Sequence, residues 1–327
     1  MRAPRQTRKE NAAEMIVAIA LLAIAACGDS DSDDPAGGAP AGGGGGSSTS
    51  TSGGGMPSNG GSGGEGGSVG EGAATADGGS GGAGGDGGVG GDGGAGGAVE
   101  TEFRILQLNL CHSGVNTNCF TGDDVMNKAV EVIDDVAPTL VTVNEACGDD
   151  LPALASATGA LDYRFTPALK ADGTPVKCVN GDDYGNGLLS WAPPEWKAPV
   201  TGVYSQQNST TERRVWLCMG YDGFVGCTTH LSTNGATALA QCQDFANGRV
   251  ATAAATDPVA TGGDWNLSYN GSPNAQDCVP PGFFRKGDGS VQHVMVSDHF
   301  EFIEAVVIDM DGTTDHPGLE VRLMYVP

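Results

Sequence analysis

The chain has 327 residues, with 16 Lys and Arg against 40 Asp and Glu, a formal net charge of −24 at pH 7. Of its 55 glycines, 32 fall in the 61 residues from Gly37 to Gly97, and no Phe, Trp or Tyr precedes Phe103. One globule spanning all of it is thereby excluded: a Gly-rich stretch without aromatics cannot bury enough apolar surface to offset its chain entropy. About Val99 to Pro327 remains, the size of one ordinary domain. From Val99 onward there are 12 basic and 29 acidic residues, a net −17. That charge excludes a passive nucleic-acid binder, which needs a basic face. It permits an enzyme that meets phosphates through a divalent metal, since acidic clusters hold such metals.

Arg2, Arg5, Arg8 and Lys9 form a positive leader, and Met15 to Ala26 is an apolar run of 12 residues. The run is too short to span a membrane and has the length of a signal-peptide core. It ends in Ile24-Ala25-Ala26-Cys27-Gly28, which resembles a bacterial lipobox. The resemblance implies a signal peptide over residues 1–26, cleavage before Cys27, lipidation of its thiol, and a protein anchored in the cell envelope at the outer membrane or cell surface. The alternative is an ordinary secretory signal cleaved near a Cys. Residues 27–98 read as a disordered Gly/Ser-rich linker, whose 61 residues from Gly37 to Gly97 have a reach of about 45 Å, holding the domain at 99–327 away from the membrane. The eight cysteines after Cys27 form an even set in an exported domain, which allows up to four disulfides. Cys218 and Cys227 flank a hairpin signal at Tyr221-Asp222-Gly223, and Cys111 with Cys119 would close a short loop. No C-x-x-C spacing supports a zinc site.

In chain order, Phe103 to Asn109 reads as a strand. Thr121 and Asp124 have the spacing of a capping box, and Val125, Ala129, Val132 and Val136 then mark one face of a helix that Pro138 stops. Thr139 to Val143 reads as a buried strand. Gly187 to Trp191, Val215 to Met219 and Phe224 to Thr229 follow as strands. Leu239, Cys242, Ala246, Val250 and Ala253 mark a second amphipathic helix. Short strands are expected at Val259 to Gly262, Val291 to Ser297, Phe302 to Ile308 and Leu319 to Tyr325. Strands with a few helices, and hairpins among them, indicate an α/β sandwich and not a doubly wound sheet.

Polar residues of one chemical kind recur just after these strands: Asn109, Glu145, His230, Asp264 with Asn266, and Asp315 with His316. Metal-assisted phosphate chemistry asks for this set. A hard cation takes carboxylate oxygens, a phosphoryl oxygen takes amide and imidazole donors, and an attacking water needs a base. Each signal alone is weak; Gly-Asp-x-Asn, for instance, is also an Asx turn. In this order, with Tyr184-Gly185-Asn186-Gly187-Leu188-Leu189-Ser190, Thr229-His230-Leu231 and Gly263-Asp264-Trp265-Asn266, they resemble the endonuclease/exonuclease/phosphatase superfamily, from about Arg104 to Leu323. Thr314-Asp315-His316-Pro317 looks most like the deoxyribonuclease-type ending.

The resemblance implies a four-layer α/β sandwich, two packed mixed sheets flanked by helices, with the site at one edge. It implies Glu145 as principal ligand of Mg²⁺ (or Mn²⁺ or Ca²⁺), with Asn109 beside it and Asp315 as second ligand or support. Asp264 would position or deprotonate the water, and Asn266 would hold the scissile phosphate. His230 and His316 would stabilise transition-state charge, Asn186 would lie at the site edge, and Arg213 or Arg214 would touch a phosphate. One departure stands out: Gln292 occupies the place of an Asp that orients the final His in the family, and Asp288 or Asp298 would have to compensate. Ser297-Asp298-His299 spells a decoy of the final motif. From Val99 onward no Gly-x-Ser-x-Gly elbow or H-E-x-x-H spacing is present. The expectation is a monomeric, exported, membrane-tethered metal-dependent phosphodiesterase, first of all an extracellular nuclease on DNA or RNA. The alternatives are a phospholipid or sphingolipid phosphodiesterase or phosphatase, for which Phe283-Phe284 would make a lipid-facing rim loop though the pair suits a core equally well, and a surface binding module weakened in catalysis by Gln292.

Overall fold

The computed structural model describes residues 101–326. The signal peptide, Cys27 and the linker lie outside the described residues. Two six-stranded mixed sheets form the framework. The first has the order β11 (Phe300–Ile308), β12 (Gly318–Tyr325), β1 (Thr101–Asn109), β2 (Leu140–Cys147), β4 (Tyr184–Ser190), β3 (Asp162–Pro167). The second has the order β5 (Val200–Val203), β6 (Val215–Tyr221), β7 (Phe224–His230), β8 (Val259–Asp264), β10 (Gln292–Ser297), β9 (Phe283–Gly287). In each sheet one central pair is parallel, β1 with β2 and β7 with β8; the other pairs are antiparallel.

Period-two alternation makes this a four-layer stack. In β1, Leu106 and Leu108 pack on Val125, Ala129 and Ile133 of helix α1 (Asp123–Val136). Phe103 and Ile105, on the opposite face, meet Leu217, Met219 and Val294 of the second sheet. Beyond that sheet, Val225, Cys227 and Val259 pack on Ala238, Cys242 and Phe245. These belong to helix α3 (Gly235–Asp244) and the π-helical segment Phe245–Val250, which runs on into α4 (Ala251–Ala254). Each fully buried Leu or Ile contributes about 1.5–3 kcal/mol, so the three layers of contact hold the framework. Toward one end the inner face turns polar: Gln107, Asn109, Thr142, Asn144, Asp264 and Gln292 are all buried between the sheets.

The strands expected from sequence are present, and β2, β4, β7 and β8 run further at the polar end. Elements that periodicity did not show are helix α2 (Asp150–Thr158), β3, β5 and β9. The capping box is not formed. Gly122 is the N-cap, no side chain caps the helix, and the Thr121 hydroxyl instead donates to the Thr313 carbonyl at 2.6 Å. Phe283 and Phe284 are not a rim loop: they begin β9 and pack half-buried against the cores on either side of the second sheet. All eight cysteines pair, as Cys111–Cys119, Cys147–Cys178, Cys218–Cys227 and Cys242–Cys278.

Candidate active site

The parallel pairs bring their carboxyl-terminal ends to one edge. Asn109 ends β1 beside Asn144 of β2, and His230 ends β7 beside Asp264, which ends β8. Between Val143 and Ala146 β2 carries one residue more than β4, a bulge. Glu145 sits in it with φ 57°, in the left-handed region. The bulge lets consecutive residues serve different places: Asn144 enters the space between the sheets, and Glu145 turns to the open edge. Asn266, just past β8, is also left-handed, at φ 50°. Strain of this kind persists only where the surroundings over-determine it.

One amide joins the two carboxylates. Asn109 Nδ2 donates to Glu145 Oε1 at 3.1 Å and to Asp264 Oδ2 at 3.0 Å. Asp264 Oδ2 also accepts from Gln292 Nε2 at 2.9 Å, and its Oδ1 accepts from the Asn266 backbone N–H at 3.0 Å. His316 Nε2 lies 3.4 Å from Asp264 Oδ2 and 3.7 Å from Asp315 Oδ1. The Thr314 hydroxyl anchors that loop on the Asn109 carbonyl at 2.9 Å. His230 Nδ1 faces Arg214 Nη1 at 2.8 Å, and its Nε2 lies 3.9 Å from Glu145 Oε1. Beside Glu145 a cleft of about 170 Å³ opens, walled by Tyr184, Glu212, Arg214 and Val176.

Burial pushes the Glu145 carboxyl above its ordinary 4.5; the Asn109 bond opposes this and the Asp264 charge adds to it. Burial likewise raises Asp264 above 3.8, against the pull of His316 and the amides of Asn109 and Gln292. Burial, with the charges of Arg214 and His316, drives His230 well below 6.5. The donor set fits a hard divalent cation. Two carboxylates, Asp264 buried and Glu145 partly buried, lie within reach of one amide, neither with a Lys or Arg hydrogen-bonded to it among the described residues, and a cation would offset the charge that burial penalises. Two other groups have metal-ligand spacing, Cys111-Cys119-Asp315 and His112-Cys147-Asp150. Their cysteines are disulfide-bonded and offer no thiolate.

Of the residues proposed from sequence, Asn109, Glu145, His230, Asp264, Asn266, Asp315 and His316 thus gather at one edge. Asp315 stands on the His316 side of it, half exposed. Asn186 is buried and not at the rim: it accepts from Asn144 Nδ2 at 3.0 Å and supports the site from behind. Arg214 lines the cleft but is engaged by Glu212 at 2.6 Å as well as by His230. Arg213 lines a separate hollow with Gln207 and Ser209. Gln292 does not act on the final His: it donates to Asp264 and accepts from Gln107 Nε2 at 2.9 Å. Asp288 caps its own turn through the backbone N–H groups of Ser290 and Gln292. Asp298 and His299 fall in the β10–β11 turn, where Ser297 Oγ accepts from Val259 N at the start of β8, the end away from Asp264.

Sequence reasoning missed the layer beneath. Gln107 Nε2 donates to Asn144 Oδ1 at 2.9 Å, that oxygen accepts the Asp264 backbone N–H at 2.7 Å, and Thr142 donates to Gln107 Oε1. Gly262 has no side chain because a Cβ there would run into Thr142 Oγ1. The signal was present in β1, where the Phe103-Ile105-Gln107-Asn109 face changes from apolar to amide.

No protein-family model matches the chain, and no curated protein matches it. Solved structures do. An endonuclease/exonuclease/phosphatase structure from Beutenbergia cavernae matches over 68% of this chain and 72% of its own, with a TM-score of 0.54 and 18% identity. The human Nocturnin catalytic domain matches over 69% and 96%, with a TM-score of 0.51 and 15% identity. D. rerio TDP2 complexed with single strand DNA product matches over 68% of this chain and 99% of its own, with a TM-score of 0.51 and 13% identity. The chain has the endonuclease/exonuclease/phosphatase fold. In that fold the edge carrying Asn109, Glu145 and Asp264 lies at the open end of the polar layer between the sheets.

Proposed function

We propose that the chain is a divalent-metal-dependent phosphoric ester hydrolase, acting as an exported, lipid-anchored extracellular nuclease. The observation that carries the hydrolase reading is the single hydrogen-bonded cluster in which Asn109 joins Glu145 to Asp264, flanked by His230 and His316. The deoxyribonuclease-like ending at Thr314-Asp315-His316 and the likeness to a structure that holds a DNA product support the nuclease. The lipobox-like Ile24–Gly28 segment supports the anchor.

Glu145 would hold the cation, with Asp315 supporting it; Asn109, expected from sequence beside Glu145 on the metal, instead orients the carboxylates through Nδ2 while its Oδ1 accepts from the Cys111 N–H at 3.1 Å. Bound there, a cation supplies Lewis-acid stabilisation of charge on the phosphoryl oxygens. Asp264, aimed by Gln292, Asn109 and the Asn266 N–H, takes a proton from the attacking water, and burial makes it a stronger base than a solvated Asp. His230 and His316 present N–H groups to the phosphoryl oxygens. Asn266 keeps one of its two amide protons for the substrate, the other being donated to the Leu231 carbonyl at 3.0 Å. No covalent intermediate on the protein is required. Supercoiled plasmid incubated with the full chain and Mg²⁺ should be nicked, EDTA should stop the reaction, and Glu145→Ala should lack it by about 10³-fold or more. Absence of nicking by the wild type, with turnover of a phospholipid headgroup or small phosphoester instead, would move the assignment to those substrates.

A further inference from the structure

Among the described residues, two arginine–histidine pairs occur at the second sheet. Arg285 Nη1 lies 2.6 Å from His293 Nδ1, and Arg214 Nη1 lies 2.8 Å from His230 Nδ1. A guanidinium carries donors only and stays protonated, so the ring nitrogen that faces it must present a lone pair. A neutral imidazole has one such nitrogen and one N–H, which puts the proton on Nε2 in both histidines. His293 is consistent with this: its Nε2 meets the Leu267 carbonyl at 2.6 Å, the partner that an N–H requires. Both nitrogens of His293 are therefore satisfied inside the protein, and burial with the Arg285 charge pushes it down to about 3.

His230 differs at the second nitrogen. Its Nε2 has no hydrogen-bond partner among the described residues and points to the open edge, 3.9 Å from Glu145 Oε1. The side chain is otherwise enclosed, with 6% of its surface exposed. Arg214 is itself fixed, since Glu212 takes the same Nη1 at 2.6 Å and only 12% of the arginine side chain is exposed. The order Glu212–Arg214–His230 thus runs from the cleft wall to the site and ends in one uncommitted N–H.

We infer that Arg214 is a positioning residue that fixes His230 as the neutral tautomer protonated on Nε2, so that His230 serves the reaction as a hydrogen-bond donor to a phosphoryl oxygen and not as a proton source. This deepens the phosphoric ester hydrolase reading and rests on it for the word "phosphoryl"; the tautomer itself does not. It also gives Arg214 a role beside the phosphate contact expected from sequence, since its Nη1 faces His230 Nδ1.

The test is nitrogen NMR of the full chain labelled with ¹⁵N-histidine at neutral pH, with His293 as the internal standard. His230 should show the His293 pattern, a protonated Nε2 and an unprotonated Nδ1. In Arg214→Leu, His230 should lose that pattern while His293 keeps it, and kcat on the substrate found above should fall about 10²-fold with KM within about twofold. A wild-type spectrum with the proton on His230 Nδ1 overturns the inference, and it does so whether or not the variant folds. So does a folded Arg214→Leu protein whose His230 signals are unchanged. A wild type that hydrolyses no phosphoester would sink the hydrolase reading alone, because the spectrum would still decide the tautomer.

Discussion

Glu145 and Asp264 are carboxylates whose proton affinity is raised by burial, and the sign of the resulting pH dependence can be worked out. A carboxyl with a higher pKa folded than unfolded holds its proton more tightly in the native state. Its contribution to stability is therefore largest at low pH and is lost as pH rises from the unfolded value toward the folded one. Without metal, wild type should lose stability relative to Glu145→Gln as pH climbs above about 4.5. Thermal melts of both proteins in EDTA between acid and neutral pH would measure the difference. Added Mg²⁺ should raise the melting temperature of the wild type at neutral pH and not that of Glu145→Gln. Equal pH profiles for the two proteins would contradict the buried-carboxylate picture. Gln292 belongs to the same scale. Taken as the place of a carboxylate that orients the last histidine, it counts as a lesion. As a neutral donor to Asp264 it avoids a third negative charge in a buried cluster, and His316 reaches Asp264 and Asp315 instead.

Among the elements, the ends of β1 and β2 carry the site, and each is followed by a cysteine two residues on. Cys111 follows Asn109 and pairs with Cys119; Cys147 follows Glu145 and pairs with Cys178. The bulge in β2 holds Glu145 in a left-handed conformation, so that strand end needs a tie. Cys242–Cys278 instead links α3 to the 3₁₀ turn Ala275–Cys278 on the outer layer. Replacing Cys147 and Cys178, or Cys242 and Cys278, by serines should cost about 2–4 kcal/mol of stability. Only Cys147→Ser with Cys178→Ser should also lower kcat at temperatures where both variants remain folded, as steady-state kinetics beside denaturant melts would show. Helix boundaries were less legible than strands. Val125, Ala129, Val132 and Val136 marked α1 correctly, yet the capping pattern at Thr121 was outcompeted by a tertiary bond to Thr313, which ties the start of α1 to the loop before Thr314. α2 was missed because its sequence Asp150–Thr158 buries few residues and shows no clear stripe. β5 and β9 are edge strands with no fully buried residue, so they lack the apolar signature of a core strand.

For the molecule as a whole, the acidic balance of net −17 from Val99 onward sets how a polyanion would approach. The charge repels it, and the attraction is confined to the site. Screening shortens the reach of that repulsion to about 10 Å at about 0.1 M salt. At saturating Mg²⁺, kcat/KM on DNA should therefore rise or stay level between about 20 and about 100 mM NaCl. A basic nuclease would show the steep fall that counterion release produces. A steep fall here would reveal a basic track across the domain that the charge balance does not suggest.

The sequence by itself determined the strands that alternate or run apolar, the sandwich they form, and the identity of the polar residues at their ends, because these are local: period, turn chemistry and residue type are written along the chain. It also carried, in Gln107 and Thr142, the polar layer that no local rule singles out. Only the tertiary structure decided which of the polar residues share a site. Asn109 meets Asp264 across 155 positions of sequence, Gln107 meets Gln292 across 185, and Arg214 meets His230 across 16. Those pairings depend on which strand ends the packing of two sheets brings together, and on burial, the largest cause that raises Glu145 and Asp264 and lowers His230. Neither is a property of any short stretch of chain.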